Sequence, residues 1–111
     1  NGSGCHTNFS TIQMRNEKGY NCIESAIKKL SDKHNEHMSV YGDDNKERMT
    51  GESETSSFTN FSSGVGNRNC SVRIGNETKQ NNKGYFEDRR PASNCEPYLV
   101  TSKIFETCVL L

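Results

Sequence analysis

Between Lys83 and Pro91 the chain sets an aromatic pair, two adjacent carboxylates and two adjacent guanidiniums behind a glycine: Tyr85, Phe86, Glu87, Asp88, Arg89 and Arg90 follow Gly84. Carboxylates ligate divalent cations, and guanidiniums bind two phosphate or carboxylate oxygens at once, so the combination suits metal and phosphate chemistry. In an extended strand the side chains alternate, which sends Tyr85, Glu87 and Arg89 to one face and Phe86, Asp88 and Arg90 to the other. The plain alternative is a solvated, charged turn ahead of Pro91. A second polar segment opens the chain: Asn1, Gly2, Ser3, Gly4, Cys5, His6, Thr7, Asn8, Phe9 and Ser10. Its glycines permit close backbone approach to a ligand, and His6 supplies a possible metal-binding nitrogen.

These side chains need elements to hold them. Cys5 to Phe9 reads as a short strand whose side chains serve a site rather than a core. Ile23, Ala26, Ile27, Leu30 and His34 recur at helical period with charged residues between them, which predicts an amphipathic helix approached at Gly19 and ended before Gly42. His34 and His37 lie three apart on it, yet no carboxylate or Cys at helical spacing completes a ligand set, so a structural role is expected for both. From Gly42 to Asn69 the composition is that of long loops. Cys70 to Ile74 alternates as a strand, with Arg73 on one face and Val72 and Ile74 on the other. Residues 75–82 read as a polar connection, residues 83–89 as a further strand, and Pro97 as the first turn of a second helix. No internal repeat or second compositional unit is visible.

Composition bounds the rest. The 111 residues amount to one domain at most. The hydrophobic share is 30%, and nine glycines still leave it short of the roughly 45–50% usual on that count, so a self-sufficient core is in question. A net charge of zero gives no electrostatic footprint for nucleic acid or an anionic membrane. No apolar run is long enough to span a bilayer, and the polar N-terminal residues do not look like a signal peptide. The five cysteines are irregularly spaced, without a zinc-type pair, and read as free thiols. Asn8, Asn60, Asn69 and Asn76 each begin a glycosylation-type triplet. In a chain so rich in Asn, Ser and Thr such triplets arise by chance, but a secreted glycoprotein is the reading they would support.

The opening segment and the run around Glu87 together resemble glutamine synthetase. The match continues through Arg48, Met49, Thr50 and Gly51 with Glu54, Thr55 and Ser56, through Asn67 and Arg68 with Ser71, Val72, Arg73 and Ile74, and through Asn94, Cys95, Glu96 and Pro97. Order and spacing look like the eukaryotic class. The resemblance covers essentially the whole chain but only the last third or so of a family subunit. It implies that ATP phosphorylates the side-chain carboxylate of glutamate and that ammonia then displaces the phosphate, in a cytoplasmic homo-oligomer using Mg²⁺ or Mn²⁺. His6 and Glu87 match two of three protein ligands of one metal site. Arg68, Arg73 and Arg89 match phosphate and carboxylate binders, Arg68 and Arg89 being among the catalytic positions. Arg48 matches the residue that holds glutamate, with Asn1, Gly2 and Arg89 as further glutamate contacts. Glu54 matches the loop carboxylate that takes a proton from ammonium. Asn8, Ser10 and Tyr85, together with Arg68 and Arg73, match the nucleotide site. Ser53 departs from the family's His, residues 41–51 are about four residues short, and Gly75 and Asn76 stand where the family has Pro and usually a basic residue.

The implied fold is α+β: residues 1–111 as the C-terminal portion of a catalytic domain without its N-terminal β domain, built on an antiparallel sheet with helices packed on one face. Two adjacent strands should then bring the His6 imidazole and the Glu87 carboxylate within about 6 Å, since neighbouring ligands of a shared octahedral cation sit close together. Arg68, Arg73 and Arg89 should approach from the same side, with Glu54 on a loop above. The isolated chain is expected to be inactive. A catalytically dead paralogue that docks on glutamine synthetase subunits is the alternative from a different functional class.

Overall fold

The computed structural model describes residues 4–43, 45–51 and 57–111. In chain order the elements are β1 (Thr7–Phe9), α1 (Ile12–Arg15), α2 (Tyr20–Asp32), α3 (His34–Met38), α4 (Asn45–Arg48), β2 (Ser63–Val65), β3 (Val72–Ile74), α5 (Asn76–Asn81), β4 (Phe86–Asp88) and α6 (Pro97–Phe105), the last continuing as a π-helical turn over Glu106–Leu110. Helices dominate and one small sheet sits among them, so the α+β class expected from sequence holds.

The sheet runs β1-β4-β3-β2. β4 lies antiparallel to both neighbours, but β2 and β3 are parallel, so the sheet is mixed rather than wholly antiparallel. Parallel neighbours usually need a crossover of a dozen or more residues. Here each strand is only three residues long, so residues 66–71 suffice for the return. Gly66, at φ 66°, starts it, and its N–H bonds back to the carbonyl of Ile74 at 2.8 Å.

α2 buries Ile23, Ala26, Ile27 and Leu30, the stripe that periodicity picks out. At Lys33 (φ −113°, ψ 22°) the helix breaks, and His34 begins α3 instead of closing α2; His34, His37 and Met38 nevertheless stay on the buried side. Helix α6 starts as its sequence suggests, with Pro97 in the first turn and the Glu96 carboxylate accepting from the Tyr98 and Leu99 N–H groups at 3.2 and 3.1 Å. α2, α3 and α6 pack on Val72, Ile74 and Phe86 to form one core cluster. The Cα radius of gyration of 13.1 Å matches the roughly 13 Å of a packed domain this size, so the thin apolar supply still builds a core. Four elements were not expected, α4 among them, since it lies in the stretch from Gly42 to Asn69 that reads as long loops. α1 and β2 are a turn and a short edge pairing with little periodic signal. α5 replaces an expected polar connection: it buries only Thr78 and closes on Asn82 in the left-handed conformation (φ 61°).

Candidate functional site

Register lines up one row across the sheet: Asn8 faces Glu87, Glu87 faces Arg73, and Arg73 faces Gly64. These side chains stand on the open face, while Phe86, Asp88, Val72 and Ile74 are buried on the other. Glu87 is the hub of the row. Its Oε2 lies 3.4 Å from His6 Nδ1, and its Oε1 lies 3.2 Å from Arg89 Nη1 and 4.0 Å from Arg73 Nη1. His6 reaches it because the pairing of β1 with β4 is prolonged by a Gly4–Ala92 bridge and by the Cys5 N–H donating to the Pro91 carbonyl at 2.8 Å. Glycine at position 4 leaves room for both neighbours, since a Cβ there would stand 2.9 Å from Arg48 Nη1 and from the His6 ring and would push on both side chains. Burial first, and then the Arg89 guanidinium, lower the pKa of His6 against the pull of Glu87. The ring is thereby kept neutral at ordinary pH, the form that binds cations.

Arg48 abuts this cluster from α4. Its Nε donates to Asn45 Oδ1 at 2.9 Å, and its Nη2 donates to the carbonyls of Arg90 at 2.7 Å and of Arg89 and Pro91 at 3.4 Å each. Asn8, Ser10 and Tyr85 line one shallow depression of about 150 Å³ with Phe9. Arg68 stands on the exposed turn between β2 and β3. Asn1, Gly2, Ser3 and Glu54 lie outside the described residues.

The opposite face of β4 carries a polar network that sequence reasoning left without a role. Arg90 and Asp88 are fully buried and paired: Arg90 Nε and Nη2 donate to Asp88 Oδ1 and Oδ2, each at 2.8 Å. Tyr41 Oη donates to Asp88 Oδ2 at 2.8 Å. That uses its one proton, so His37 Nδ1, 2.6 Å away, is the protonated nitrogen, and His37 Nε2 accepts from Thr107 Oγ1 at 2.8 Å. A guanidinium only donates, so His34 Nδ1 accepts from Arg90 Nη1 at 2.9 Å while His34 Nε2–H donates to the Phe58 carbonyl at 2.8 Å. Both imidazoles are thus neutral with both nitrogens engaged, which gives them the structural role expected. Burial is the largest influence on each and lowers both, His37 to about 4. Burial also pushes Asp88 up, but the Arg90 guanidinium and the hydrogen bonds from Arg90 and Tyr41 outweigh it, leaving that carboxyl below its ordinary range. The signal for this network was present in the alternation of residues 85–90, which sends Asp88 and Arg90 inward with Phe86.

Among the described residues no group of three or more His, Cys, Asp or Glu side chains is gathered as a metal-ligand set. The His6–Glu87 pair is a mixed nitrogen and oxygen donor set that fits part of the shell of a hard divalent cation. Arg73 Nε is buried and has no hydrogen-bond partner among the described residues, a donor left facing the same row. No described helix is long and apolar enough to cross a membrane.

No protein-family model matches the chain. Individual relatives do. It is 59% identical over 110 residues to the glutamine synthetase cytosolic isozyme 1-1 of Oryza sativa subsp. japonica, a match covering 99% of this chain and 31% of the relative. It is 61% identical over 107 residues to a putative glutamine synthetase of Acanthamoeba polyphaga mimivirus, covering 96% of the chain and 30% of the relative. With the chloroplastic/mitochondrial glutamine synthetase of Arabidopsis thaliana it shares 56% over 110 residues, 99% of the chain and 26% of the relative. The chain thus spans less than a third of the length of these curated relatives, and it is homologous to glutamine synthetases along essentially all of its own.

Proposed function

We propose that the open face of the sheet is one wall of a glutamine synthetase active site, in which ATP phosphorylates the side-chain carboxylate of glutamate and ammonia displaces the phosphate to give glutamine. The observation that carries this reading is the clustering of His6, Arg73 and Arg89 around the single carboxylate of Glu87. His6 and Glu87 hold Mg²⁺ or Mn²⁺, a third ligand coming from outside the described residues. The cation, when bound, neutralises the phosphates of the nucleotide and the transferring group. Arg73 and Arg89 bind oxygens of that group with their planar forks, and Arg68 closes on it from its turn. Arg89 also reaches glutamate, whose carboxylate is held by Arg48 beside Asn1 and Gly2. The carbonyls around Arg48 fix the aim of its guanidinium. Asn8, Ser10 and Tyr85 seat the nucleotide, and Glu54 takes the proton that ammonium must lose before ammonia attacks.

The site is shared with chain that the 111 residues do not include, so alone they form no glutamine, and the complete enzyme works as a cytoplasmic homo-oligomer. The test is a chimera in which these residues replace the matching 110-residue segment of the rice cytosolic isozyme. The expected result is ATP-dependent glutamine formation, abolished by Glu87→Ala in the same chimera. A folded, oligomeric chimera without turnover overturns the catalytic reading in favour of a docking module. On the isolated chain, Mn²⁺ should broaden the NMR resonances of His6 and its neighbours and spare those of His34 and His37. Broadening centred on α3 instead would remove the metal assignment.

A further inference from the structure

Cys5 and Cys95 belong to two backbone segments that the fold holds together. Cys5 donates its N–H to the Pro91 carbonyl at 2.8 Å, Gly4 is bridged to Ala92, and the Cys95 N–H turns back onto the Ala92 carbonyl at 3.0 Å. That turn brings residue 95 back beside the strand pairing in which Cys5 takes part, and the Cys5 thiol is among the groups that raise the pKa of Cys95. All five cysteines are free, with Cys5 exposed and Cys95 half-buried. The buried thiol of Cys70 is occupied instead with backbone carbonyls, those of Asn67 at 3.0 Å and Val72 at 3.1 Å.

We propose that Cys5 and Cys95 are a modification site, a thiol pair that a small glutathione-type disulfide converts into an intramolecular disulfide. The exposed Cys5 reacts first. Its thiolate attacks one sulfur of oxidised glutathione, the sulfur–sulfur bond breaks, and one glutathione leaves as the thiol with Cys5 as the mixed disulfide. The Cys95 thiol then gives up its proton, its sulfur attacks Cys5 Sγ, and the second glutathione leaves. Two cysteine thiols are oxidised to one disulfide, one glutathione disulfide is reduced to two thiols, and both cysteine protons end on glutathione. Burial, followed by the neighbouring Cys5 thiol, raises the pKa of Cys95, which suits it to resolve the adduct rather than to start it. The linkage would clamp the segment carrying His6 to the one whose carbonyls hold Arg48, but its formation does not depend on the catalytic reading above.

The test incubates the 111-residue chain with oxidised glutathione, quenches with N-ethylmaleimide, digests without reductant and identifies linked peptides by mass. The expected product joins the Cys5 peptide to the Cys95 peptide, two hydrogens lighter than the pair, in about tenfold or greater excess over any other pairing, because a folded neighbour acts at high effective concentration. The Cys95→Ser variant should stop at the glutathione adduct on Cys5. Arrest of the unmodified chain at that adduct, a link from Cys5 to another cysteine, or the same Cys5–Cys95 yield in strong urea would each overturn the proposal.

Discussion

Replacing Arg90 by methionine tests whether the inner face of β4 is held by its ion pair. The substitution keeps an apolar stem of comparable length but strands Asp88, a carboxylate with no solvent exposure, on two remaining donors: Tyr41 Oη at 2.8 Å and the residue-90 N–H at 3.1 Å. Removing one partner of a buried pair costs about 3–5 kcal/mol, because the other charge stays behind uncompensated. His34 also loses the donor to its Nδ1, and the rings of Tyr41 and Phe61 lose a cation 5.2 and 5.1 Å from their centroids. Against a whole-domain stability of about 5–15 kcal/mol, Arg90→Met should lie close to unfolded. Adding Asp88→Leu removes the orphan charge and should recover more than half of the loss, since apolar replacements of whole buried pairs are often near neutral. Urea unfolding read by far-UV circular dichroism measures both steps, with tyrosine fluorescence as a second probe because the chain has no tryptophan. A single variant within about 1 kcal/mol of the parent, or a double variant no better than the single, would refute the electrostatic account.

His37 gives a pH dependence of definite sign. Its pKa falls from 6.5 to about 4 on folding, so below 6.5 the unfolded chain binds the extra proton and stability drops as pH falls toward 4, by about 3 kcal/mol in all. Urea midpoints at pH 7, 5.5 and 4.5 check this, and flat midpoints over that window would exclude it. The apolar groove between β1 and α6, lined by Phe9, Leu99 and Phe105 among others, should bind a hydrophobic dye in the isolated chain, and Leu99→Ser with Phe105→Ser should lower that fluorescence at least about twofold. Purified chain mixed with ATP, glutamate, ammonium and Mg²⁺ should form no glutamine above a buffer control, and measurable turnover would show the site needs nothing further.

Much of the arrangement is legible in the sequence because two periodicities do most of the placing. The period-2 alternation of residues 85–90 puts Glu87 and Arg89 on the open face and Asp88 and Arg90 inside, and the helical stripe from Ile23 to Leu30 is the buried face of α2. What escaped lacks a period. The break at Lys33 is a local backbone choice within an uninterrupted amphipathic pattern, so His34 passes for another residue of α2. α5 carries no apolar stripe and is recognisable only from its end, where Asn82 adopts the left-handed conformation. β2 is paired over three residues, and its partner could not be inferred because parallel pairing across so short a return is unusual.

The two faces of β4 explain one another. A carboxylate proposed to bind a cation among guanidiniums is useful only where its backbone does not shift, and a strand of three residues has little hydrogen bonding with which to hold itself. Beneath it, the carbonyl of Arg90 accepts from Asn45 Nδ2 at 2.6 Å and from Arg48 Nη2 at 2.7 Å, while the Arg90 side chain grips Asp88 and His34. One residue therefore ties the end of β4 to α3, to α4 and to the segment at Phe58 whose carbonyl His34 holds. An apolar residue at position 90 would keep the backbone carbonyl contacts and could supply packing, but it would lose the side-chain bonds to Asp88 and His34, and the strand could then twist against α3. The inward ion pair is best understood as fixing the register that keeps Glu87 opposite Arg73 and within 3.4 Å of His6.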